Sequence, residues 1–264
     1  AIYYRINGKS ESEVSLPICR PSFETNLYRE KKMFKSLRVL VVVPARGGSK
    51  GIPLKNMSTV GDLSLIAIVA KFIQECDFID DSIVSTDHLE IAKAARNAGL
   101  DVPFLRPAEI SGDLVSDIDV LTHALLTMEE QGSKPYDIIV MLQPTSPFRK
   151  PRHYFDTLEL LIEGKFDSVL TVTETDSKAH PLKQLVISDK TLGYYDPRGR
   201  EIIARQQLEP LYQRNGFVYA LRRECLLSQK AIIGRNSSAI ITSDPFVNID
   251  TFEDLAYARY LADG

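Results

Sequence analysis

The residues best suited to bind a polyanion lie in Pro44–Asn56, which directly follows the apolar run Val39–Val43. Its sequence, PARGGSKGIPLKN, combines several glycines with three cations, Arg46, Lys50 and Lys55. Glycines let a backbone approach a polyphosphate closely, and their amides can point inward as an anion-binding nest. The spacing excludes both a Walker loop, GxxxxGK[ST], and the dinucleotide turn, GxGxxG. A glycine-rich turn with merely solvated basic residues is the alternative interpretation.

A second group suited to chemistry lies near the end of the chain, where Asn248 and Asp250 flank Ile249. Side chains alternate along a strand, so residues 248 and 250 share one face and could share a cation. Magnesium prefers oxygen ligands and usually keeps several waters, which makes one carboxylate with one amide oxygen acceptable. Asn248 and Asp250 are therefore the predicted metal ligands. Asp250, or a water that it orients, is the candidate proton acceptor.

Short apolar strands alternate with amphipathic helices from Leu37 onward, which predicts an α/β fold with a doubly wound, mostly parallel sheet. Ligands of such sheets bind beyond the carboxyl ends of the strands, where Pro44–Asn56 is expected. The predicted strands are Val39–Val43, Ser82–Ser85, Val102–Leu105, Asp137–Leu142, Ser168–Val172, Gly216–Leu221, Ala239–Thr242 and Phe246–Ile249. The predicted helices are Leu63–Glu75, His88–Ala98, Ser116–Glu130, Pro151–Glu163 and Phe252–Leu261.

Two segments depart from this alternation. Residues 174–215 contain short apolar runs, Gln184–Ser188 and Leu192–Tyr195, between turn signals, which predicts an inserted β-rich arm within one domain, residues 37–264. Residues 1–36 show no periodicity and lack the features of a signal peptide, so they are predicted to be a disordered N-terminal extension. An upstream extension, a remnant of a longer chain and non-native sequence are all open origins for residues 1–32.

The composition narrows the class of protein. The chain has 264 residues, a net charge of -3 and no apolar run near the roughly 18 residues of a membrane span, so nucleic acid and membranes are not expected partners. Its 3 cysteines and 4 histidines show no disulfide or zinc spacing, which favours packing roles in a reducing, cytoplasmic compartment.

Several motifs resemble the signature sequences of the acylneuraminate cytidylyltransferases, the CMP-sialic acid synthetases and their relatives for legionaminic, pseudaminic and similar 2-keto sugar acids. The motifs occur in the family's order and span roughly residues 37–262. They are Val43–Asn56, Ser85–Asp87, Leu105–Glu109, Leu142–Arg149, Arg214–Tyr219 and Asn248–Asp250.

The resemblance implies transfer of CMP from CTP to the anomeric hydroxyl of such an acid, with magnesium, in a homodimer built through the arm. It also implies a sheet like that of nucleotide-diphospho-sugar transferases. Two alternatives are open. One is a nucleotidyltransferase for another base or a KDO-like acid, because a fold does not define a substrate. The other is a non-catalytic nucleotide-binding relative.

The resemblance also implies roles for individual residues. The implied catalytic residues, which hold the triphosphate or activate the nucleophile, are Arg46, Lys50, Lys55 and Asp250. The implied nucleotide-binding residues are Gly47, Gly48, Ser49, Asn56, Arg106 and Ser116. The implied sugar-binding residues are Asp87, Gln143, Arg205, Gln206, Tyr212, Asn215 and Phe217.

Structural alternatives accompany several of these roles. Arg106 could pair with Glu109 at the surface, and Ser116 could cap a helix. Gln143 could be a structural amide, and Arg205 a solvated arginine of the arm. The aromatic residues Tyr212 and Phe217 could equally belong to the core of a dimer.

The chain departs from the family's pattern at two positions. Asn248 stands where the family has the first aspartate of Asp-Ile-Asp, which removes one negative charge from the implied metal site. Residues 61–66 read GDLSLI where the family often has Gly-Lys-Pro-Leu-Ile, so Asp62 adds an acid where a lysine is common.

Overall fold

A six-stranded sheet dominates the computed structural model, which describes residues 36–132 and 134–264. The strand order in this sheet is β10-β6-β9-β5-β1-β4. Pairing is parallel between β1 and both β4 and β5, and between β6 and β10, whereas β9 is antiparallel to β5 and β6. The predicted mostly parallel sheet is therefore confirmed. The strands of the described residues are β1 Val39–Pro44, β2 Thr59–Val60, β3 Leu63–Ser64, β4 Asp81–Ser85, β5 Ile138–Met141, β6 Ser168–Glu174, β7 Leu185–Ser188, β8 Thr191–Tyr194, β9 Tyr212–Arg222 and β10 Ser237–Ile241.

The helices that flank the sheet begin at recognisable caps. Ser64 Oγ accepts a hydrogen bond from Ala67 N, and Pro151 occupies the first turn of α4, where a missing N–H costs nothing. Among the described residues, the α-helices are α1 Leu65–Gln74, α2 Leu89–Asn97, α3 Asp117–Glu130, α4 Pro151–Glu163, α5 Arg223–Leu227 and α6 Phe252–Asp263. None of these combines the length and apolar character that crossing a bilayer requires.

Two apolar clusters support the loops at the carboxyl ends of the strands. The larger contains Leu40, Val42 and Leu121 and fills the space between the sheet and α3. The smaller joins Ile52 of the glycine-rich loop to Ile249 near the end of the chain. These two buried residues hold the predicted phosphate loop and the predicted metal ligands together, because each lies within three residues of a site side chain.

Two predicted strands are wrong. Within Val102–Leu105 no ladder forms; Asp101 makes a single bridge to Ile83, and Pro103 cannot donate a hydrogen bond to a neighbouring strand. Phe246–Ile249 is also not a strand, although Ile249 N donates to Thr145 O at 2.9 Å. The helix predicted from Leu63 begins two residues later.

The predicted β-rich segment 174–215 contains the antiparallel hairpin of β7 and β8. Asp189 and Lys190, at its turn, both have positive φ, as a tight hairpin turn requires. Its apolar side chains are exposed, including Ile187 at 73% and Leu192 at 63%. A role of this arm in dimerisation stays a prediction. Residues 1–35 lie outside the described residues, so the predictions about the N-terminal extension also stay untested.

Candidate active site

A cavity of about 550 Å³ opens beyond the carboxyl ends of β1 and β5, at the position that the sheet topology predicts for a ligand. It brings together residues from four separate parts of the chain. The predicted site residues that line it are Arg46, Ser49, Lys50, Lys55, Asn56, Arg106, Gln143 and Asp250.

Polar side chains hold the glycine-rich loop in shape. Asp87 Oδ1 accepts a hydrogen bond from Gly47 N at 2.8 Å, and buried Asn56 donates from Nδ2 to Arg46 O at 3.1 Å. A side chain at Gly47 would lie 2.7 Å from the ring of His88, so only glycine fits there. In this structure Asp87 therefore positions the loop and is not a lining residue of the cavity.

Two cations of the loop converge on one carboxylate. Arg46 Nη1 and Lys50 Nζ each lie 2.6 Å from a different oxygen of Asp113. The hydrogen bonds from Lys50 and then Arg46 lower the pKa of the Asp113 carboxyl. A single anionic group can thus be held by both cations at once, which is the geometry that a phosphate group requires.

Lys55 and the predicted metal ligands form a connected group at the rim of the same cavity. Lys55 Nζ lies 2.6 Å from Asp250 Oδ1, and Asn248 Nδ2 donates to Asp250 Oδ2 at 2.7 Å. Thr145 Oγ1 donates to Asn248 Oδ1 at 2.9 Å. A side chain at Gly51 would lie 2.1 Å from Asp250 O, so the two loops can approach this closely only with glycine there.

The donor set at this rim fits magnesium held jointly with a substrate. The part of the chain that the structure describes has no cluster of three or more His, Cys, Asp or Glu residues able to hold a metal alone. Asp250 lines the cavity and has a side chain that is 62% exposed, whereas Asn248 does not line it and turns its Nδ2 toward Asp250 and its Oδ1 toward Thr145. Magnesium usually takes one or two carboxylates and completes its shell with water and substrate phosphates.

Arg106 is a buried guanidinium at the floor of the cavity. Its side chain is only 3% exposed, and its Nε and Nη2 atoms have no hydrogen-bond partner among the described residues. Burial lowers the pKa of Arg106, against the opposing field of Asp87, whose Oδ1 lies 3.9 Å from Nη2. A buried charge is costly unless its donors are satisfied, so these two donors point to a ligand. The alternative of a surface pair with Glu109 does not describe this buried side chain.

Ser116 caps α3, as the alternative structural role given for this residue predicts. Its Oγ accepts a hydrogen bond from Asp119 N at 3.2 Å and donates to Asp119 Oδ2 at 2.7 Å. The next residue, Asp117, lines the cavity instead. Asp62 lies on the exposed β2–β3 turn and does not line the cavity, so the added acid is not at the phosphate site.

Gln143 is held at the cavity wall by its neighbours. Its N donates to Gly216 O at 3.3 Å, and buried Arg149 donates to the carbonyls of Gln143 and Phe217. Gly216 has a φ of 72°, and a side chain there would lie 2.4 Å from Gln143 Oε1. The Gln143 amide is not hydrogen-bonded to any residue within 36–132 or 134–264, which disfavours a purely structural role and leaves it available to a ligand.

The remaining predicted sugar-binding residues do not reach this cavity. Arg205 and Gln206 lie in the arm, where Arg205 lines a second cavity of about 390 Å³ with His180. Tyr212 is exposed at the start of β9. Asn215 is buried and accepts from Thr171 Oγ1 at 2.7 Å, which binds neighbouring strands together.

Phe217 lies in the core, where its ring stacks on that of His153 with centroids 5.0 Å apart. It does not line the cavity either.

The lining residues that were not predicted as site residues from the sequence include Asp113, Asp117 and Thr145. Thr145 lies within the motif Leu142–Arg149, which also contains the predicted site residue Gln143. Its place in that motif could have identified it as a site residue. Asp113 and Asp117 follow Arg106 in an aperiodic stretch, where acids resemble those of an ordinary helix start.

Lys50→Ala tests the phosphate loop. We expect turnover to fall at least about tenfold, because a preorganised cation that stabilises developing charge is removed. The melting temperature should change little, since the Lys50 side chain is 82% exposed. Lys93→Ala, which removes an exposed lysine from α2, is the matched control. Near wild-type turnover by a folded Lys50→Ala protein would contradict the phosphate-binding role predicted for Lys50.

The comparison with known proteins agrees with this geometry. Residues 40–261 match the family model described as cytidylyltransferase, so the chain belongs to the cytidylyltransferase family. It is 30% identical over 230 residues to a CMP-N,N'-diacetyllegionaminic acid synthase of Legionella pneumophila, covering 85% of this chain and 96% of that protein. It is 28% identical over 223 residues to an N-acylneuraminate cytidylyltransferase of Escherichia coli, covering 84% of this chain but only 51% of that longer protein.

Solved structures share the fold. A CMP:2-keto-3-deoxy-manno-octonic acid synthetase in complex with CTP aligns with a TM-score of 0.63 at 19% identity, covering 86% of this chain and 98% of the other. A 4-diphosphocytidyl-2C-methyl-D-erythritol synthase from Anaerococcus prevotii aligns with a TM-score of 0.59 at 14% identity, covering 88% and 99%. At these identities the likeness shows the architecture alone.

Proposed function

We propose that this protein transfers CMP from CTP to the anomeric hydroxyl of a sialic-acid-type 2-keto sugar acid and releases pyrophosphate. The observation that carries the proposal is that loop cations, two Arg106 donors without a hydrogen-bond partner among the described residues and the exposed carboxylate of Asp250 meet in one cavity. The relatives named for CMP-legionaminic acid and N-acylneuraminate chemistry favour a 2-keto sugar acid as the acceptor.

The loop cations bind the triphosphate of CTP. Arg46 and Lys50, which now share Asp113, exchange that carboxylate for phosphate oxygens. Lys55 likewise exchanges Asp250 for phosphate oxygens, and this exchange frees the Asp250 carboxylate. As the bond to the departing pyrophosphate breaks, negative charge develops next to these cations, and their fixed positions stabilise it.

Asp250 and Asn248 are proposed to hold magnesium together with the triphosphate. Magnesium bound there would supply Lewis-acid chemistry to the triphosphate and to the attacking hydroxyl. Asp250, or a water that it orients, accepts the hydroxyl proton. Thr145 keeps Asn248 in place through the hydrogen bond to its Oδ1. No covalent intermediate is needed.

Gln143 is proposed to bind hydroxyls of the sugar acid, because its amide lines the cavity without a hydrogen-bond partner among the described residues. The arm is proposed to form a homodimer through exposed apolar residues such as Ile187 and Leu192. Arg205 is outside its own chain's cavity, so binding the substrate carboxylate requires that a second copy supply it. The proposed location is the cytoplasm, because the proposed reaction needs a supply of CTP.

A substrate panel tests the proposal. Pyrophosphate release is measured with CTP, UTP, ATP or GTP, magnesium, and either a nine-carbon or an eight-carbon 2-keto sugar acid. We expect a marked preference for CTP and for the nine-carbon acid. Equal rates with UTP would contradict the cytidine assignment, and preference for the eight-carbon acid would indicate the KDO-like alternative. Nucleotide binding without turnover on any acid would identify a non-catalytic relative.

A further inference from the structure

Asp117, the first residue of α3, faces the same cavity as Arg106 and has no role in the reaction outlined above. Its carboxylate accepts no hydrogen bond from residues in the described ranges, 36–132 and 134–264. Burial raises the pKa of the Asp117 carboxyl, while Arg214 and Arg106 oppose that shift. A partly buried acceptor without a donor therefore lies in the cavity that also contains two buried donors without acceptors.

The unpartnered atoms of Arg106 are Nε and Nη2. These two nitrogens form one side of the guanidinium fork, and their N–H groups are parallel, so they fit two neighbouring acceptors. Among pyrimidines, the edge of cytosine carries two neighbouring acceptors, O2 and N3, followed by the N4 amino donor. Uracil has a donor at N3 and an acceptor at O4 instead. The fork therefore matches cytosine, and the amino group next to it needs an acceptor.

We propose that Asp117 accepts a hydrogen bond from the N4 amino group of cytosine and thereby determines the preference for CTP over UTP. The inference rests on the proposed function, since it assigns a specificity residue to the nucleotide site. A carboxylate that faces O4 of uracil would place two acceptors against each other without a donor. Leaving buried polar groups unpaired is the mechanism by which hydrogen-bonding sites reject close analogues.

The competing role for Asp117 is that of a counter-ion to Arg106. The two roles differ in what they predict for specificity. A counter-ion stabilises Arg106 whichever base is bound, so its loss lowers CTP and UTP turnover together. A base-reading carboxylate affects only the discrimination between the two bases. The ratio of kcat/KM values for CTP and UTP therefore separates the roles.

Asp117→Asn is the decisive variant, because an amide of the same shape can donate to O4 of uracil. With one sugar acid and fixed magnesium, we expect the CTP/UTP ratio of kcat/KM to fall at least about tenfold, within the range for one lost base contact. Asp119→Asn is the matched control, since this exposed acid two residues along loses the same charge outside the cavity; its ratio should match wild type. An unchanged ratio in Asp117→Asn, with or without a common loss of rate, would overturn the inference.

Calorimetric titration with CTP and UTP provides a second readout that does not need turnover. The wild type should bind CTP more tightly, and Asp117→Asn should lose most of that difference. If the wild type binds CTP selectively but turns over no sugar acid, the proposed function fails while the base-reading role stands. If Asp117→Asn melts far below wild type, Asp117→Ser is measured in the same way. Equal binding of CTP and UTP by the wild type would overturn the inference.

Discussion

Arg106→Met is expected to remove nearly all CTP-dependent turnover and at the same time to raise the melting temperature. The two charge-assisted hydrogen bonds that we propose Arg106 donates to the base would be lost, each worth roughly 1.5–3 kcal/mol, so kcat/KM for CTP should fall at least about a hundredfold. The same guanidinium is 3% exposed, two of its donors have no hydrogen-bond partner among the described residues, and its ion pair with Asp87 is long at 3.9 Å, so the folded protein without nucleotide carries an incompletely compensated buried charge. Methionine fills similar space without that cost. A gain of about 1 kcal/mol would raise the melting temperature by roughly 2–4 °C.

Arg38→Met is the matched control for this experiment. Arg38 Nη2 pairs with Asp81 at 2.9 Å, and its guanidinium lies 4.3 Å from the ring centroid of Tyr136, at the amino end of β1. The same substitution there should lower the melting temperature and leave kcat/KM unchanged. Thermal unfolding without nucleotide and initial rates with CTP give both quantities. Arg106→Met with wild-type kcat/KM would show that Arg106 does not bind the nucleotide, and a lower melting temperature would show that its donors are satisfied in the fold.

Much of the fold follows from local sequence. Val39–Val43 is a continuous apolar run of four valines and one leucine, which indicates a strand covered on both faces, and all five residues are at most 1% exposed. The loop after such a strand lies at the carboxyl end of a parallel sheet, where ligands bind, and this placement does not depend on the rest of the chain. The placement of Arg46, Lys50 and Lys55 at the cavity was therefore predictable from one segment.

Other features depend on contacts that the local pattern does not contain. The apolar residues of β9 predict a strand but not its direction, which is set by the path of the preceding arm. Phe246–Ile249 has a strand-like pattern, yet α6 and the glycine-rich loop cover it where a neighbouring strand would otherwise pair. Asp113 meets Arg46 across 67 residues of sequence, and no periodicity marks such a contact.

The predicted sugar-binding residues also differ in whether local sequence or distant contacts determine their positions. Gln143 follows directly on a buried strand, where its position beyond the sheet is fixed, and it lines the cavity. Arg205 lies in the inserted arm, whose position relative to a cavity depends on tertiary or quaternary contacts. The resemblance implied a sugar-binding role for Asn215, but its hydrogen bonds to Thr171, Thr173 and Thr242 satisfy its side chain within the sheet. A position inside a family motif therefore does not by itself distinguish a ligand contact from a link between strands.

Asp250→Asn is expected to lower turnover at least about a hundredfold, because Asp250 is the only carboxylate of the predicted metal pair. Asn248 contributes an amide oxygen without formal charge, so attraction for magnesium at this face depends on Asp250 and the triphosphate. The variant keeps the shape of the side chain, and Asp250 is mostly exposed, so the fold should not be affected. Turnover is measured against free magnesium at saturating CTP. Asp263→Asn, at the end of α6, controls for the loss of one exposed charge.

Asn248→Asp should have the opposite effect on metal dependence. A second carboxylate on the same face strengthens the attraction for magnesium, so half-maximal turnover should be reached at a severalfold lower concentration of free magnesium. Without metal, two carboxylates would repel each other where Asn248 Nδ2 now donates to Asp250 at 2.7 Å, so the melting temperature should fall and recover when magnesium and CTP are added. This recovery separates metal binding from a general change in the fold. If Asp250→Asn keeps wild-type turnover and the same magnesium dependence, and Asn248→Asp shifts neither curve, the metal is held by other residues.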